Sequence, residues 1–158
     1  MLNLMKSKRE SLDTKKEIFF YEQEFYVLSN FSSFRIYWKD LDFTSLEYAY
    51  QWEKFPKHPD LQHMIWAAAS SHDAYTIAQD WKHLRREDWP SVCRSIMKDL
   101  CRTKVTQHPY VRKKLLESGD RTLIENSYKD SYWGWGPDKK GANMLGTIWM
   151  ELRNELTR

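Results

Sequence analysis

Four polar side chains on one predicted helix are the first candidates for chemistry. Glu47, Tyr50, Gln51 and Lys54 are spaced i, i+3, i+4 and i+7, so they share one side of a helix predicted over residues 45–55. A carboxylate, a phenol, an amide and an ammonium are costly to bury unless they meet a ligand or one another. This stripe therefore predicts a polar binding site, with Glu47 as the group that stabilises charge or moves a proton.

Glu47 also has a purely local interpretation. Thr44 precedes it by three residues, which is the spacing of a capping box, in which the glutamate side chain bonds the backbone at the start of its own helix. The sequence spacing leaves both interpretations open.

A second candidate region is the glycine-rich segment 130–143. It holds three of the chain's five glycines together with three aromatic residues, and it fits neither a helical nor a strand period. Long loops of this kind are usually functional or disordered, and the aromatic residues argue against disorder. Aromatic rings beside flexible backbone and a carboxylate indicate a pocket for a flat, polar ligand such as a nucleobase.

Other polar residues have two interpretations each. Asn30, beside Phe31 between two predicted strands, can offer a donor and acceptors to a ligand or can form an Asx turn. Arg85, Arg86 and Lys104 are candidates for binding phosphate, and the alternative is that they lie on solvated helix edges.

The elements that must position these residues are mostly helices. The patterns predict strands at 17–21, 34–38 and 122–126, and a turn at Lys39-Asp40 that leads into 41–43. Predicted helices cover 45–55, 60–70, 73–82, 90–104, from Pro109 to about Ser118, and a last amphipathic segment that begins at Asn143. The predicted class is α+β: a mostly helical single domain with a small β-sheet.

Composition narrows the functional class. The 158 residues suit one domain, predicted over 16–158 after a charged, flexible tail at 1–15. The net charge of +3 argues against an RNA-binding module with a large phosphate footprint. The two cysteines and five histidines show no metal or redox spacing, so we expect no metal and no cofactor. There is neither a membrane-spanning run nor a secretory start, which predicts a cytoplasmic chain.

Several segments in one order resemble the NADAR family, also called the YbiA-like family. They span residues 19–156 and comprise Phe25-Tyr-Val-Leu-Ser-Asn-Phe31, Leu46-Glu-Tyr-Ala-Tyr-Gln-Trp-Glu-Lys-Phe55, Arg86-Glu-Asp-Trp89, Leu115-Leu-Glu-Ser-Gly119, Leu123-Ile-Glu125, Asp130-x-x-Trp-Gly-x-Gly136 and Gly141-x-Asn-x-Leu-Gly146. Two departures bear on substrate choice. Tyr48 stands where the family usually has a histidine, and Ala78-Gln-Asp80 replaces a frequent Gly-Arg pair.

The resemblance implies a YbiA-like fold and an N-glycosidase. The expected substrate is ADP-ribosylated guanine, as a nucleoside or in nucleic acid, with release of ADP-ribose. One alternative is cleavage of phosphorylated riboflavin-pathway intermediates, and an alternative of another class is a non-catalytic module that binds ADP-ribose or a nucleotide.

The implied site combines the residues above. Glu47 and Asp130 are the expected catalytic carboxylates, with Trp133 stacked on the base. The expected binding residues are Asn30, Phe31, Tyr50, Gln51, Lys54, Arg86, Lys104, Trp133, Gly134 and Asn143, of which Lys54, Arg86 and Lys104 would hold phosphates.

Overall fold

The computed structural model describes residues 12–21 and 23–158, so most of the predicted N-terminal tail, residues 1–11, lies outside the described residues. Within those ranges the helices are α1 (Leu46–Trp52), α2 (Pro59–Trp66), α3 (Ser71–Asp80), α4 (Trp89–Gln107), α5 (Pro109–Glu117) and α6 (Met144–Leu156), and the strands are β1 (Glu17–Phe19), β2 (Ile36–Trp38), β3 (Leu41–Phe43) and β4 (Thr122–Ile124). Short 3-10 helices cover Gln23–Leu28 and Lys82–Leu84.

The long helix α4 is the centre of the fold. Its apolar stripe includes Cys93, Met97, Leu100 and Cys101, which are all buried. Against this stripe and its flanks pack α1, α5, α6 and β2. The predicted helical periodicity was therefore a correct guide to the core, because a stripe of apolar residues at helical spacing must face other elements.

The strands form two separate pairs. β2 and β3 are an antiparallel hairpin whose turn places Lys39 and Asp40 at φ values of 47° and 63°, as a two-residue primed turn requires. β1 pairs in parallel with β4, with Glu17 opposite Thr122. The α+β class is confirmed, and the strands that were expected in one small sheet are divided between these two pairs.

The loop that follows β4 is ordered by its own backbone. The N–H groups of Gly141, Ala142 and Asn143 donate to the carbonyls of Trp135, Ser131 and Gly134 at 2.7, 2.7 and 2.9 Å. Two further bonds join the segment to its neighbours: the N–H of Trp135 donates to the carbonyl of Glu125 after β4 at 3.3 Å, and the N–H of Met144 at the start of α6 donates to the carbonyl of Tyr132 at 2.9 Å. In the described parts of the chain, no helix is both long enough and apolar enough to cross a membrane.

Candidate active site

Glu47 points into the protein interior and does not cap its own helix. Its side chain is only 5% exposed, and its Oε1 accepts a hydrogen bond from Nε2 of Gln51 at 2.6 Å. The N-cap of α1 is Ser45, and no side chain caps that terminus. The capping-box interpretation is therefore wrong, and the polar stripe of α1 is buried as the ligand-binding interpretation requires.

The groups around Glu47 have opposing effects on its pKa. Burial raises the pKa of its carboxyl group above the ordinary range, and the nearby Asp130 adds to that rise. Hydrogen bonds from Gln51 and Asn30 and the positive charge of Lys54 act in the opposite direction. These three groups support the ionised form of a carboxylate that has lost most of its water. The backbone also fixes its place, because the N–H of Glu47 donates to the carbonyl of Asn30 at 3.1 Å.

Lys54 lies at the other end of the stripe. Its ammonium nitrogen is 5.1 Å from the ring centroid of Tyr50 and 5.6 Å from that of Trp89. Burial lowers the pKa of Lys54 to about 8, with Glu47 opposing the change and Arg85 adding to it. Trp89 was not predicted as a site residue. The only signal for it was its place in the Arg86–Trp89 match.

The aromatic wall of the site joins α1 to the glycine-rich loop. The ring of Trp133 meets that of Tyr50 edge-on, with centroids 5.7 Å apart, and lies 4.7 Å from that of Tyr132. Trp133 is half-buried. The structure thus brings together the two regions that the sequence singled out separately.

Asp130 shapes the loop that carries Trp133. Its Oδ1 accepts hydrogen bonds from the backbone N–H groups of Tyr132 and Trp133 at 2.9 and 2.8 Å. Oδ1 of Asp130 therefore stabilises the backbone of the loop. The charge of Asp130 nevertheless reaches both Glu47 and Glu125, since it raises the pKa of each.

Glu125 is a buried carboxyl group that the sequence analysis did not assign to the site. It directly follows β4 and is 8% exposed. Burial raises its pKa to about 8, with Asp130 and Glu47 adding to the rise and Lys104 opposing it. Its only signal in the sequence was a place in the Leu123–Glu125 match, because burial of a side chain outside a periodic element cannot be read from spacing.

Unpartnered acceptors gather around Glu47. Among the described residues, the buried side-chain polar atoms without a hydrogen-bond partner are Oδ1 of Asn30, Oε1 of Gln51 and Oε2 of Glu125. Each atom of this kind costs about 1–3 kcal/mol if nothing satisfies it. All three are oxygens, so each is open to a donor from a bound ligand, such as a sugar or a base, or from ordered water.

Lys104 does not make the phosphate contact that was expected of it. It is fully buried, and its ammonium donates to the carbonyl of Ser29 at 2.9 Å and to Oγ of Ser32 at 2.8 Å. A group enclosed in this way cannot touch a phosphate on a bound ligand. Lys104 instead fixes the turn that presents Asn30 to the site.

Asn143 is also used internally. It has a left-handed backbone with φ of 47°. Its Oδ1 accepts from the N–H of Glu125 at 2.9 Å and its Nδ2 donates to the carbonyl of Leu123 at 2.9 Å. Both ends of the amide make an internal hydrogen bond, so Asn143 has a structural role, and its contact with substrate stays a prediction. Asn143 holds the chain at Glu125 against the start of α6.

Three other expected binding residues lie at the edges of the site. The guanidinium of Arg86 forms a two-pronged pair with Asp88 at 2.5 and 2.8 Å. Phe31 is 39% exposed beside Asn30. Gly134 is buried, and a Cβ there would lie 2.9 Å from the carbonyl oxygen of Glu125. Because Gly134 has no side chain, its backbone can lie close to that of Glu125.

The family's usual histidine position belongs to the core in this chain. Tyr48 is buried and its hydroxyl donates to the carbonyl of Ala68 at 2.8 Å. Across the described ranges, no three His, Cys, Asp or Glu side chains are arranged to hold a metal ion.

Comparisons with known proteins give the family of the chain and the names of its relatives. The family model described as the NADAR domain matches residues 19–157. A protein of Nostoc punctiforme named as an N-glycosidase is 36% identical over 88% of the chain and 92% of its own length. The N-glycosidase YbiA of Escherichia coli is 32% identical over 81% of the chain and 79% of its own length.

A longer relative carries a different name. A riboflavin biosynthesis protein of Vibrio vulnificus is 33% identical over 90% of the chain, and the match spans 39% of that protein. The NMR structure of E. coli YbiA superposes with a TM-score of 0.82 and 29% sequence identity, and covers 95% of this chain and 90% of that one.

Proposed function

The chain belongs to the NADAR domain family, and from that premise we propose that it is an N-glycosidase, which hydrolyses the bond between a ribose carbon and a base nitrogen. One observation carries the proposal: buried acceptors without partners on Asn30, Gln51 and Glu125 gather around the carboxyl group of Glu47. A ribosylated base brings hydroxyl and N–H donors for the amide oxygens of Asn30 and Gln51, and it brings nitrogens that can meet the carboxyl group of Glu125.

Glu47 is suited to the charge that forms during this reaction. Departure of a base from ribose builds positive charge on the sugar, in an oxocarbenium-like transition state. A carboxylate in a site with little water stabilises that charge strongly when it is ionised. Gln51 and Lys54 favour the ionised form of Glu47, which can also orient or deprotonate the attacking water. Asp130 is the second carboxylate and fixes the loop of Trp133.

Lys54 could act as a nucleophile in a second route to the same products. With a pKa of about 8, roughly a tenth of this amine is neutral at neutral pH. A neutral lysine can attack the sugar carbon, displace the base and form an imine with the opened sugar, which water then hydrolyses. Reduction with borohydride during turnover separates the two routes, because it traps an imine on Lys54 and leaves direct attack by water unaffected.

The proposed substrate carries phosphates. Arg85 and Lys82 lie near enough to lower the pKa of Lys54. Neither has an acidic partner within ion-pair distance among the described residues. We assign them the phosphate contacts that Lys104 cannot make, and Arg86 could join them by leaving Asp88, since exposed ion pairs are weak.

We propose ADP-ribosylated guanine as the first substrate, with ADP-ribose as the product and Trp133 stacked on the base. Phosphorylated riboflavin-pathway intermediates are the second candidate, favoured by the name of the Vibrio vulnificus relative. Both present a base on a phosphorylated ribose to the same carboxylates. A non-catalytic module that binds ADP-ribose would have no need to bury Glu47 and Glu125 within reach of each other's charge.

Product analysis tests the proposal. The protein is incubated with ADP-ribosylated guanosine, ADP-ribosylated DNA and the phosphorylated riboflavin-pathway intermediates, and free ADP-ribose or ribose phosphate is measured by mass spectrometry. We expect release from one of them by the wild type and none by Glu47→Gln. Glu117→Gln, on an exposed site of α5, is the matched control and should stay active. Tight binding of a ligand without cleavage would contradict the proposal in favour of the binding module.

A further inference from the structure

We propose that Glu125 is the acid of this site, and that its neutral carboxyl group gives a proton to the base nitrogen as the bond to ribose breaks. The inference rests on the proposed glycosidase function and deepens it, because it names the residue that activates the leaving group. It also divides the work between the buried carboxyl groups: Glu47 acts as the carboxylate and Glu125 as the acid.

The first argument is the lack of donors at Glu125. Oε2 is buried without any hydrogen-bond partner among the described residues. An ionised carboxylate needs donors or water, and at 8% exposure Glu125 has little of either. A protonated carboxyl group carries no net charge and has its own O–H to offer. The unpartnered oxygen therefore favours a proton on Glu125 in the free protein.

The second argument is the set of charges that face Glu125. Asp130 and Glu47 both disfavour its ionised form, and Lys104 is the one cation that favours it. Lys104 gives limited help, because burial lowers its pKa to about 7, so its charge is only partial at neutral pH. Its ammonium is moreover directed at Ser29 and Ser32.

The third argument is the contrast with Glu47. Glu47 accepts a hydrogen bond from Gln51 and lies in the field of Lys54, whereas Oε2 of Glu125 has no partner among the described residues. Burial raises the pKa of both carboxyl groups, and a side-chain hydrogen bond opposes that rise only at Glu47. Unequal environments of this kind are typical of acid and base pairs in active sites.

The fourth argument is the fixed position of the group. The N–H of Glu125 donates to Oδ1 of Asn143 at 2.9 Å, and its carbonyl accepts from the N–H of Trp135 at 3.3 Å. Gly134 closes over the same carbonyl, where a Cβ would approach within 2.9 Å. Three separate contacts therefore hold the backbone of Glu125, which a proton donor in fixed geometry requires.

The proposed step balances. The bond between the sugar carbon and the base nitrogen breaks, its electron pair goes to the nitrogen, and the proton of Glu125 follows to that nitrogen or to an atom conjugated with it. Water adds its oxygen to the sugar carbon and loses a proton to Glu47. That proton returns to Glu125, directly or through solvent, so the net change is hydrolysis.

Two measurements on the full chain test the inference. The first is a ¹³C NMR titration of the glutamate carboxyl groups without substrate. We expect the resonance that vanishes in Glu125→Gln to titrate several pH units above those of the exposed glutamates. The second is the pH profile of kcat with the substrate found by product analysis. Glu125→Gln should lower kcat by about 10²- to 10⁴-fold, the usual contribution of a general acid, and remove its alkaline decline.

Glutamine has the shape of glutamate, and Oε2 of Glu125 has no hydrogen-bond partner among the described residues, so this variant should fold. Glu117→Gln controls for removal of a carboxylate elsewhere. Near-normal kcat in Glu125→Gln with an active wild type would overturn the inference alone, as would titration of Glu125 together with the exposed glutamates. A wild type that cleaves none of the substrates would instead refute the proposed function, and the inference would fall with it.

Discussion

Replacing Glu125 with glutamine should stabilise the protein at alkaline pH. Burial beside Asp130 and Glu47 raises the pKa of this carboxyl group from 4.5 to about 8. Between these values the folded protein keeps a proton that the unfolded chain releases, so the free energy of unfolding falls as pH rises. The favourable contribution is complete below pH 4.5 and lost once pH has risen through the folded-state value. Because glutamine does not titrate, the free energy of unfolding of the variant does not fall through this group as pH rises.

The size of the effect follows from the width of that window. Each unit of pKa difference corresponds to about 1.4 kcal/mol, so a wild type taken from about pH 5 to above pH 8 should lose about 4 kcal/mol through this one group. Glu125→Gln should recover that amount relative to the wild type. For a domain of this length a gain of 4 kcal/mol corresponds to roughly 8–16 °C in Tm.

Urea unfolding followed by circular dichroism at several pH values measures the difference directly, since the extrapolated free energies of wild type and variant can be subtracted at each pH. The two curves should diverge steadily above about pH 5 and become parallel again above about pH 8. Glu117→Gln, which removes an exposed carboxylate that pairs with Lys113 and Lys114, should follow the wild type. Parallel curves for Glu125→Gln and wild type across the whole range would refute the reasoning.

The remaining predictions concern the carboxylate, the aromatic wall and the buried lysine. Glu47→Gln should abolish turnover with a circular dichroism spectrum like that of wild type, and activity near wild type would remove Glu47 from the mechanism. Trp133→Ala should weaken ligand binding by about 1–3 kcal/mol in calorimetry, more than Trp135→Ala, because Trp135 packs on Phe19 at 4.9 Å as part of the loop scaffold; equal losses would contradict the stacking role. Burial lowers the pKa of Lys104 from 10.5 to about 7, so the stability that depends on its neutral form is present above pH 10.5 and lost as pH falls through 7. Lys104→Met should therefore gain about 3 kcal/mol over wild type between pH 9 and pH 7 in urea unfolding, and a gain that does not depend on pH would show that Lys104 keeps its ordinary pKa.

Much of the fold was predictable because its signals are local. The stripe of α4, Pro109 at the first position of α5 and Gly119 after that helix each act within a few residues. The parallel pairing of Glu17 with Thr122 was not predictable, because it joins segments about a hundred residues apart and neither three-residue strand carries a mark of its partner.

The site was predictable in its chemistry and less so in its geometry. The helical period alone placed Glu47, Gln51 and Lys54 on one face, and that face is buried. The sequence did not reveal the internal hydrogen bonds of Lys104 and Asn143, because a polar side chain looks the same in sequence whether it faces a ligand or ties two backbone segments together. Only their enclosed hydrogen bonds decide between these roles.

The sequence by itself therefore determined the helices, the α+β class, the family and the polar stripe of α1, since each depends on residue type at short spacing. Tertiary structure decided which carboxyl groups meet. Glu47 and Glu125 are 78 positions apart in the sequence. Their different surroundings arise only when folding removes water from both and gives a hydrogen-bond donor, Gln51, to Glu47. Desolvation and charge–charge interaction depend on distance in space, which no spacing in the chain records.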